Sequence, residues 1–426
     1  MFNIKDNKIH AYRKRMMAQL YSKSHVLSST TMQDSTNTIL HGRLLPIIER
    51  CAETITPLDM YSHNQAYVVD VATAFLFGPD LASNCIEDLV HRAWYGQCWN
   101  EIAKARFWHE FPQLNKWAGF LGIYLVPRTA YERRLDLEKY NIAKCDQAEK
   151  NVSEEDSFIT NNHSLFGRLR AGMRKWAGPS ASSSRQPYPY RFDIAADMFD
   201  HTAAAYESSP ITITYILYEL SRRPELQEKL HEELLTLKYP PTSLKDDIDH
   251  SRLPDSRAID SLPLLDAILQ ETLRRWPATG GGLPRVTPDT GCSLAGYDNI
   301  PPGVCVRASA HCLHRNPEVF PEPEEWRPER WLDASADELV EMRRWFWAWG
   351  SGPGMCLGQH FATYRKYQRL SSRAEAYRMF LVMKNLIVVL YIKYKSTIVD
   401  APDMEQTDGF ITGPKGKRLV LQWTHI

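Results

Sequence analysis

A mainly α fold with a small β portion is predicted for this chain of 426 residues, and three observations carry the prediction. Apolar residues recur at helical spacing through most of the first half, and again at Leu265, Ile268, Leu269, Leu273 and Trp276. Strand signals are confined to Arg285 through Ala308, broken by Pro288, Gly296 and Pro301-Pro302-Gly303, and to the C-terminal stretch Phe410 to Trp423. A hydrophobic content of 43% is enough for a substantial core, and no internal repeat is apparent.

Taken in order, Met16 to Tyr21, Ile39 to Ile55, Ala66 to Phe77 and Ile86 to Trp99 read as helices. Asn151 to His163 and the serine- and proline-rich Pro179 to Pro189 keep no apolar period and read as loops. The second loop leads into a long helical pattern from Asp193 to Leu220. Within it, Pro210 removes a backbone donor and predicts a distortion. Helical spacing resumes from Pro224 to Leu237 and in the amphipathic stretch that Pro277 ends. Phe410-Ile411-Thr412, the turn Gly413 to Gly416 and Leu419 to Trp423 read as a terminal hairpin.

The balance of 51 basic against 51 acidic residues argues against a general attraction to nucleic acid or to acidic partners. Eight cysteines, at 51, 85, 98, 145, 292, 305, 312 and 356, show neither paired metal spacing nor a compact disulfide framework. Reduced thiols in a cytosol-facing protein fit that pattern. Asn151-Val152-Ser153 matches a glycosylation sequon, a triplet common by chance. No apolar run reaches the roughly 20 residues that span a bilayer. The best candidate, Phe380 to Ile392, contains Lys384.

Chemistry concentrates on Cys356. Gly350, Gly352 and Gly354 precede it and a helix-like stretch follows, so unpaired backbone N–H groups and the positive end of a helix converge on the sulfur and favour a thiolate. Trp345, Phe346, Trp347 and Trp349 supply apolar walls, and Gly358 with Ala362 offers a smooth face for a flat macrocycle. That arrangement reads as the thiolate side of a haem. A cysteine beside a glycine turn is more often a plain buried thiol, so the weight rests on companion segments.

Glu271 and Arg274 are three apart on one helix face, and burying either charge alone is costly, so they are expected to pair. In isolation such a pair is usually solvated and carries little information. Arg330, in Trp326-Arg327-Pro328-Glu329-Arg330-Trp331, is placed to join it as a third member. Further upstream, Ala203-Ala204-Ala205-Tyr206-Glu207-Ser208 sets a carboxylate beside a hydroxyl, a pair able to relay protons through an apolar channel.

Together these four ordered segments closely resemble the cytochrome P-450 family, over a span from about Asn7 to the C-terminus. Trp349, Gly350, Gly352, Cys356 and Gly358 fall on its haem-binding signature, Glu271 and Arg274 on its K-helix motif, and Arg330 on its meander motif. The resemblance implies haem b (iron protoporphyrin IX) with Cys356 as the iron ligand. It also implies a structural Glu271, Arg274, Arg330 cluster that fixes the cysteine loop, and proton delivery by Glu207 and Ser208. Arg285 matches the propionate-binding arginine, and His10 and Lys14 match the family's aromatic-or-histidine and basic positions on the C-helix. Three positions depart from the pattern. Ala205 and Ser208 replace the usual glycine and threonine, and Gly354 replaces an arginine or histidine. One propionate contact is therefore expected to be absent or taken over by Arg13, Lys14 or Arg15.

The implied activity is that of a haem-thiolate monooxygenase acting on an apolar small molecule with dioxygen and with electrons from an NADPH-dependent reductase. Lys14 and the Arg343-Arg344 pair are candidates for docking that reductase. Tyr21-Ser22-Lys23-Ser24 and Pro317 to Pro321 resemble the filamentous-fungal branch devoted to secondary metabolites. A haem-thiolate isomerase or dehydratase needing no external electrons stays open, as does an inactive haem-binding relic. No nucleic-acid partner is implied. The expectation is one cytochrome P-450 domain over 1–426, lacking the N-terminal anchor and the first sheet and helix elements. An insertion at 363–380 is expected either to loop out or to reflect a retained intron. As written the chain is expected to be cytoplasmic, whereas a full-length family member sits on the cytosolic face of the endoplasmic reticulum membrane.

Overall fold

A computed structural model describes residues 7–105, 108, 111–151, 164–177, 190–237, 254–282, 284–358 and 378–426. The helices α1 (Asn7–Ala18), α2 (Lys23–Ser28) and α3 (Thr30–Ile39) open it, and a π-helical turn over Leu40–Leu44 joins α3 to α4 (Leu45–Glu53). The short strand β1 (Leu58–Asp59) precedes α5 (Met60–Phe77), α6 (Leu89–Lys104), α7 (Pro112–Phe120), α8 (Arg128–Asn151) and α9 (Leu165–Ala177). Next come α10 (Arg191–Glu207), α11 (Ser209–Ser221), α12 (Pro224–Leu234), α13 (Ser256–Asp260) and α14 (Pro263–Arg275). The strands β2 (Pro284–Val286), β3 (Cys292–Leu294), β4 (Tyr297–Ile300) and β5 (Cys305–Arg307) follow, then α15 (Ala310–Leu313), α16 (Arg330–Asp333) and α17 (Ala336–Trp345). The chain closes with α18 (Arg378–Tyr391), β6 (Tyr394–Asp400) and β7 (Val420–His425). The architecture is mainly helical with small sheets, as the periodicity predicts.

The chain divides into two compact units: one of Met1–Ile47, Gln65–Tyr206 and Leu244–His250, the other of Ile48–Asn64, Glu207–Ser243 and Ser251–Ile426. Among the described residues the first unit is entirely helical. In it Arg13 on α1 holds Asp193 and Asp197 on α10, with N···O distances of 3.1 and 2.7 Å. Asn141 on α8 donates to the Ala195 carbonyl at 2.7 Å. A Cβ at Gly172 on α9 would lie 2.8 Å from the Met16 side chain, so glycine there allows α1 and α9 to close up. The expected helix at Met16 to Tyr21 therefore starts earlier and stops at Ala18, because its solvent-poor face is built partly from charged side chains that hydropathy does not count.

All the strands lie in the second unit, as an antiparallel β1-β7-β6 sheet and the ribbons β2-β5 and β3-β4. Its core is filled by the buried apolar run of α18, in which Lys384 ion-pairs with Asp266 at 3.0 Å and donates to the Asp260 carbonyl at 3.3 Å. Pairing inside the protein explains a lysine in so apolar a helix. No helix among the described residues is long and apolar enough to cross a membrane.

Two further expectations are corrected. The helical pattern Asp193 to Leu220 is two helices, α10 and α11, which meet at Ser208; Pro210 in the first turn of α11 has no N–H to continue the ladder. The terminal hairpin does not form. Thr412 instead gives its N–H to the Ala278 carbonyl at 2.9 Å and receives Gln406 Nε2 at its own carbonyl at 2.9 Å, while β7 pairs with β6. The expected loops after Asn151 and from Pro179 to Pro189, the sequon beyond Asn151, and residues 363–377 of the expected insertion lie outside the described residues. Residues 378–380 begin α18.

Candidate functional site

Glu271 is the hub of the second unit. Its carboxylate takes a bidentate pair from Arg274, Nη2 to Oε1 at 2.7 Å and Nε to Oε2 at 2.8 Å, because a three-residue step on α14 puts both side chains on one face. Arg330 Nε reaches Oε1 at 2.9 Å, Trp331 Nε1 reaches Oε2 at 2.9 Å, and the Arg327 amide reaches Oε1 at 2.9 Å. Both Glu271 and Arg274 are 0% exposed. Two buried guanidiniums face one carboxylate, so their remaining N–H groups need acceptors. Arg274 uses the carbonyls of His314, Pro323 and Glu325 at 3.0, 2.7 and 2.8 Å, and Arg330 that of Pro321 at 2.9 Å. The segment 321–331 is thus wound around the charge cluster.

Hydrogen bonds continue from this hub to the cysteine. The Trp347 amide donates to His314 Nε2 at 2.7 Å, the Gly350 amide to the Trp347 carbonyl at 2.9 Å, and the Cys356 amide to the Trp349 carbonyl at 3.0 Å. Gly350 and Gly352 have φ of +73° and +69°, a left-handed backbone that glycine adopts without strain. The Cys356 side chain is exposed on this turn. Burial raises the thiols of Cys51, Cys98 and Cys145, and pushes that of Cys85 up to about 12, so none of these four favours the thiolate. Leu357 and Gly358 form a turn; the helix expected beyond them, with Ala362, lies outside the described residues.

Arg285, exposed on β2, lies against the same loop. Its Nη2 donates to the Ser351 carbonyl at 3.3 Å, and a Cβ at Gly354 would sit 2.7 Å from that nitrogen. The absence of a side chain at 354 is what leaves room for the guanidinium. A soft sulfur ligand on an exposed loop, with a cation from β2 lying against it, suits an iron macrocycle that carries carboxylates.

The remaining predicted residues are placed as follows. His10 and Lys14 lie one turn apart on α1 in the first unit. Burial, and then the Lys14 charge, lowers the His10 pKa, and Lys14 itself is buried. Arg13 is committed to its two aspartates, and Arg15 Nε donates to the Ala11 carbonyl at 3.2 Å. Glu207 ends α10 and Ser208 is the residue between α10 and α11, both half-buried. Trp349 is half-buried beside Gly350. Sequence reasoning missed His314, Trp331 and the Arg327 amide; the first has no spacing signal, and the last two become visible only once Glu271 is known to face them.

A buried charge cluster tied by hydrogen bonds to an exposed, glycine-flanked cysteine with an arginine at its side is the arrangement expected of the haem-thiolate class of protein. Comparison with known proteins makes this specific. The family model for cytochrome P-450 matches residues 1–365, and the chain belongs to that family, whose members carry a haem bound through a thiolate and draw electrons from redox partners. It is similar to the cytochrome P-450 monooxygenase avaI of Aspergillus versicolor, at 26% identity over 85% of this chain and 80% of the relative. It is also similar to the cytochrome P-450 monooxygenase FGM1 of Gibberella zeae, at 25% identity over 97% of this chain and 74% of the relative. A third relative, the cytochrome P-450 monooxygenase tazI of Aspergillus terreus, is 32% identical over 54% of this chain and 41% of its own length. The relatives are fungal haem-containing oxidoreductases, in line with the fungal secondary-metabolism character expected from the sequence.

Proposed function

We propose that this protein is a haem b monooxygenase that inserts one oxygen atom into an apolar small molecule, an intermediate of secondary metabolism, with residues 1–426 acting as one domain. The observation that supports it most is the exposed Cys356 on a turn hydrogen-bonded back to the Glu271 cluster. When bound, haem supplies dioxygen activation assisted by electron donation from the thiolate. Cys356 holds the iron, Trp349 walls the loop, and Gly350, Gly352 and Gly358 let its backbone approach closely. Arg285 holds a propionate. Exposed Arg343 and Arg344 on α17 offer positive charge to an acidic, NADPH-dependent reductase.

The Arg285 assignment has a direct test. Gly354→Ala places a methyl against the Arg285 guanidinium, which can swing away because it is the end of a flexible side chain. The expected result is an unchanged thermal midpoint with haem transfer to an apoprotein acceptor several-fold faster. Equal transfer rates would remove Arg285 from haem binding.

Glu207 and Ser208 hold and pass protons at the junction of α10 and α11, a carboxylate beside a hydroxyl. Ser208→Ala and Glu207→Gln are expected to keep their haem but to divert electrons into peroxide, lowering product formed per NADPH consumed. General acid catalysis is typically worth ~10²–10⁴-fold, so coupling left intact by both substitutions would take the pair out of the reaction. Product formation by the wild-type protein without NADPH consumption would replace monooxygenation with isomerisation or dehydration.

A further inference from the structure

We propose that His314 is a positioning residue for the cysteine ligand, transmitting the geometry of the buried Glu271–Arg274 pair to the Cys356 loop through the Trp347 amide. The inference rests on the reading of Cys356 as the iron ligand.

His314 is fully buried at the end of α15, and both of its ring nitrogens are used. Trp347 N–H donates to Nε2 at 2.7 Å, so that nitrogen carries no proton. The proton therefore sits on Nδ1, which is 3.0 Å from the Arg274 carbonyl in the last turn of α14. The reverse tautomer would set N–H against N–H at Trp347, and an imidazolium would do the same. Burial pushes the imidazole pKa down to about 3, in keeping with a neutral ring. His314 also receives Arg274 Nη1 at its own carbonyl at 3.0 Å, so the two residues are joined twice.

A second path returns to the same carboxylate. The His314 ring stacks on Phe346, with centroids 5.2 Å apart and planes at 12°. Phe346 meets Trp331 edge-on at 5.4 Å, and Trp331 Nε1 donates to Glu271. Glu271, Arg274, His314, Phe346 and Trp331 thus form a closed ring of contacts. The chain leaves that ring at Trp347 and enters the turns that end at the Cys356 amide. A ring anchored at both nitrogens specifies where Trp347 N–H must lie, and two hydrogen-bonded turns then specify the sulfur. Packing alone would not set that register, because an apolar side chain of similar shape accepts no hydrogen bond.

The test uses the full chain loaded with haem and three variants, His314→Phe, His314→Gln and Phe346→Leu. The readout is the fraction of total haem that shows the red-shifted Soret band of thiolate ligation when reduced and exposed to carbon monoxide, alongside the thermal midpoint. His314→Phe is expected to lower that fraction at least threefold, the remainder shifting to the band of a protonated thiol. His314→Gln keeps an acceptor for Trp347 and is expected to retain most of the thiolate band. Phe346→Leu leaves both ring nitrogens bonded, and is expected to lower the thermal midpoint while the thiolate fraction stays at the wild-type value. A wild-type fraction in His314→Phe overturns the proposal, as does a loss in Phe346→Leu equal to that in His314→Phe. If His314→Phe yields no folded protein, a folded His314→Gln that has lost the band overturns it. No thiolate band in the wild-type protein itself would sink the ligand assignment and this inference together.

Discussion

Cys356→Ser is expected to abolish the red-shifted Soret band that carbon monoxide gives with the reduced, haem-loaded protein, and with it all monooxygenase turnover. A serine hydroxyl stays protonated near neutral pH and is a hard, weak donor, whereas iron in this class is held by a soft, anionic sulfur. The loop itself should survive the change. The turn is closed by the Cys356 backbone amide on the Trp349 carbonyl, which the substitution leaves in place, and the residue is exposed. A folded protein that binds haem weakly and without the thiolate band is therefore the expected product, checked by the carbon monoxide spectrum beside a thermal melt. A band that persisted would move the ligand to another thiol. Cys305 and Cys312 are exposed, whereas burial holds Cys85 and Cys145 in the protonated form.

Glu271→Gln should have the largest effect on stability. The substitution keeps the volume and removes the charge, so Arg274 and Arg330 remain buried with no counter-ion, and one amide nitrogen now faces guanidinium donors. Breaking a buried pair in this way costs about 3–5 kcal/mol, a large part of the roughly 5–15 kcal/mol that holds a typical domain folded. Little soluble, haem-loaded protein is expected, and what is recovered should unfold at much lower urea concentration. The comparison is Lys395→Ala, which breaks an exposed pair with Glu228 at 3.1 Å and should cost no more than about 1 kcal/mol. A urea midpoint for Glu271→Gln equal to that of Lys395→Ala would show that the cluster does not organise the second unit.

The two results together separate roles that lie close in the fold. On the proposed reading, loss of Cys356 removes the ligand from an intact loop, while loss of Glu271 removes the charge to which the segments around that loop are tied. Solubility distinguishes them before any activity is measured.

Short-range rules made much of this protein legible from its residues alone. The helical period around Leu265 to Trp276 and the stop at Pro277 placed α14, and the three-residue step put Glu271 and Arg274 on one face of it. Proline at 210 announced a distortion, which the structure resolves as the break between α10 and α11, and the glycines around Cys356 announced a turn before the sulfur. Each of these depends on neighbours within a few positions, where sterics and peptide hydrogen bonding leave few choices.

Only the tertiary structure decided the pairings over longer distances. Strand β7 had turn-like residues just before it and read as half of a local hairpin, yet its partner is β6, because the N–H and C=O groups around Thr412 are spent on Ala278 and Gln406. Lys384 looked misplaced in an apolar helix until Asp260 and Asp266, more than a hundred residues earlier in the chain, supplied its charge partners. His314 carries no motif at all. Its ring lies between a helix-end carbonyl and a loop amide, one nitrogen donating and the other accepting. Satisfying buried polar groups is a property of the whole packed interior, and no local pattern of residue types encodes which distant donor will meet which acceptor.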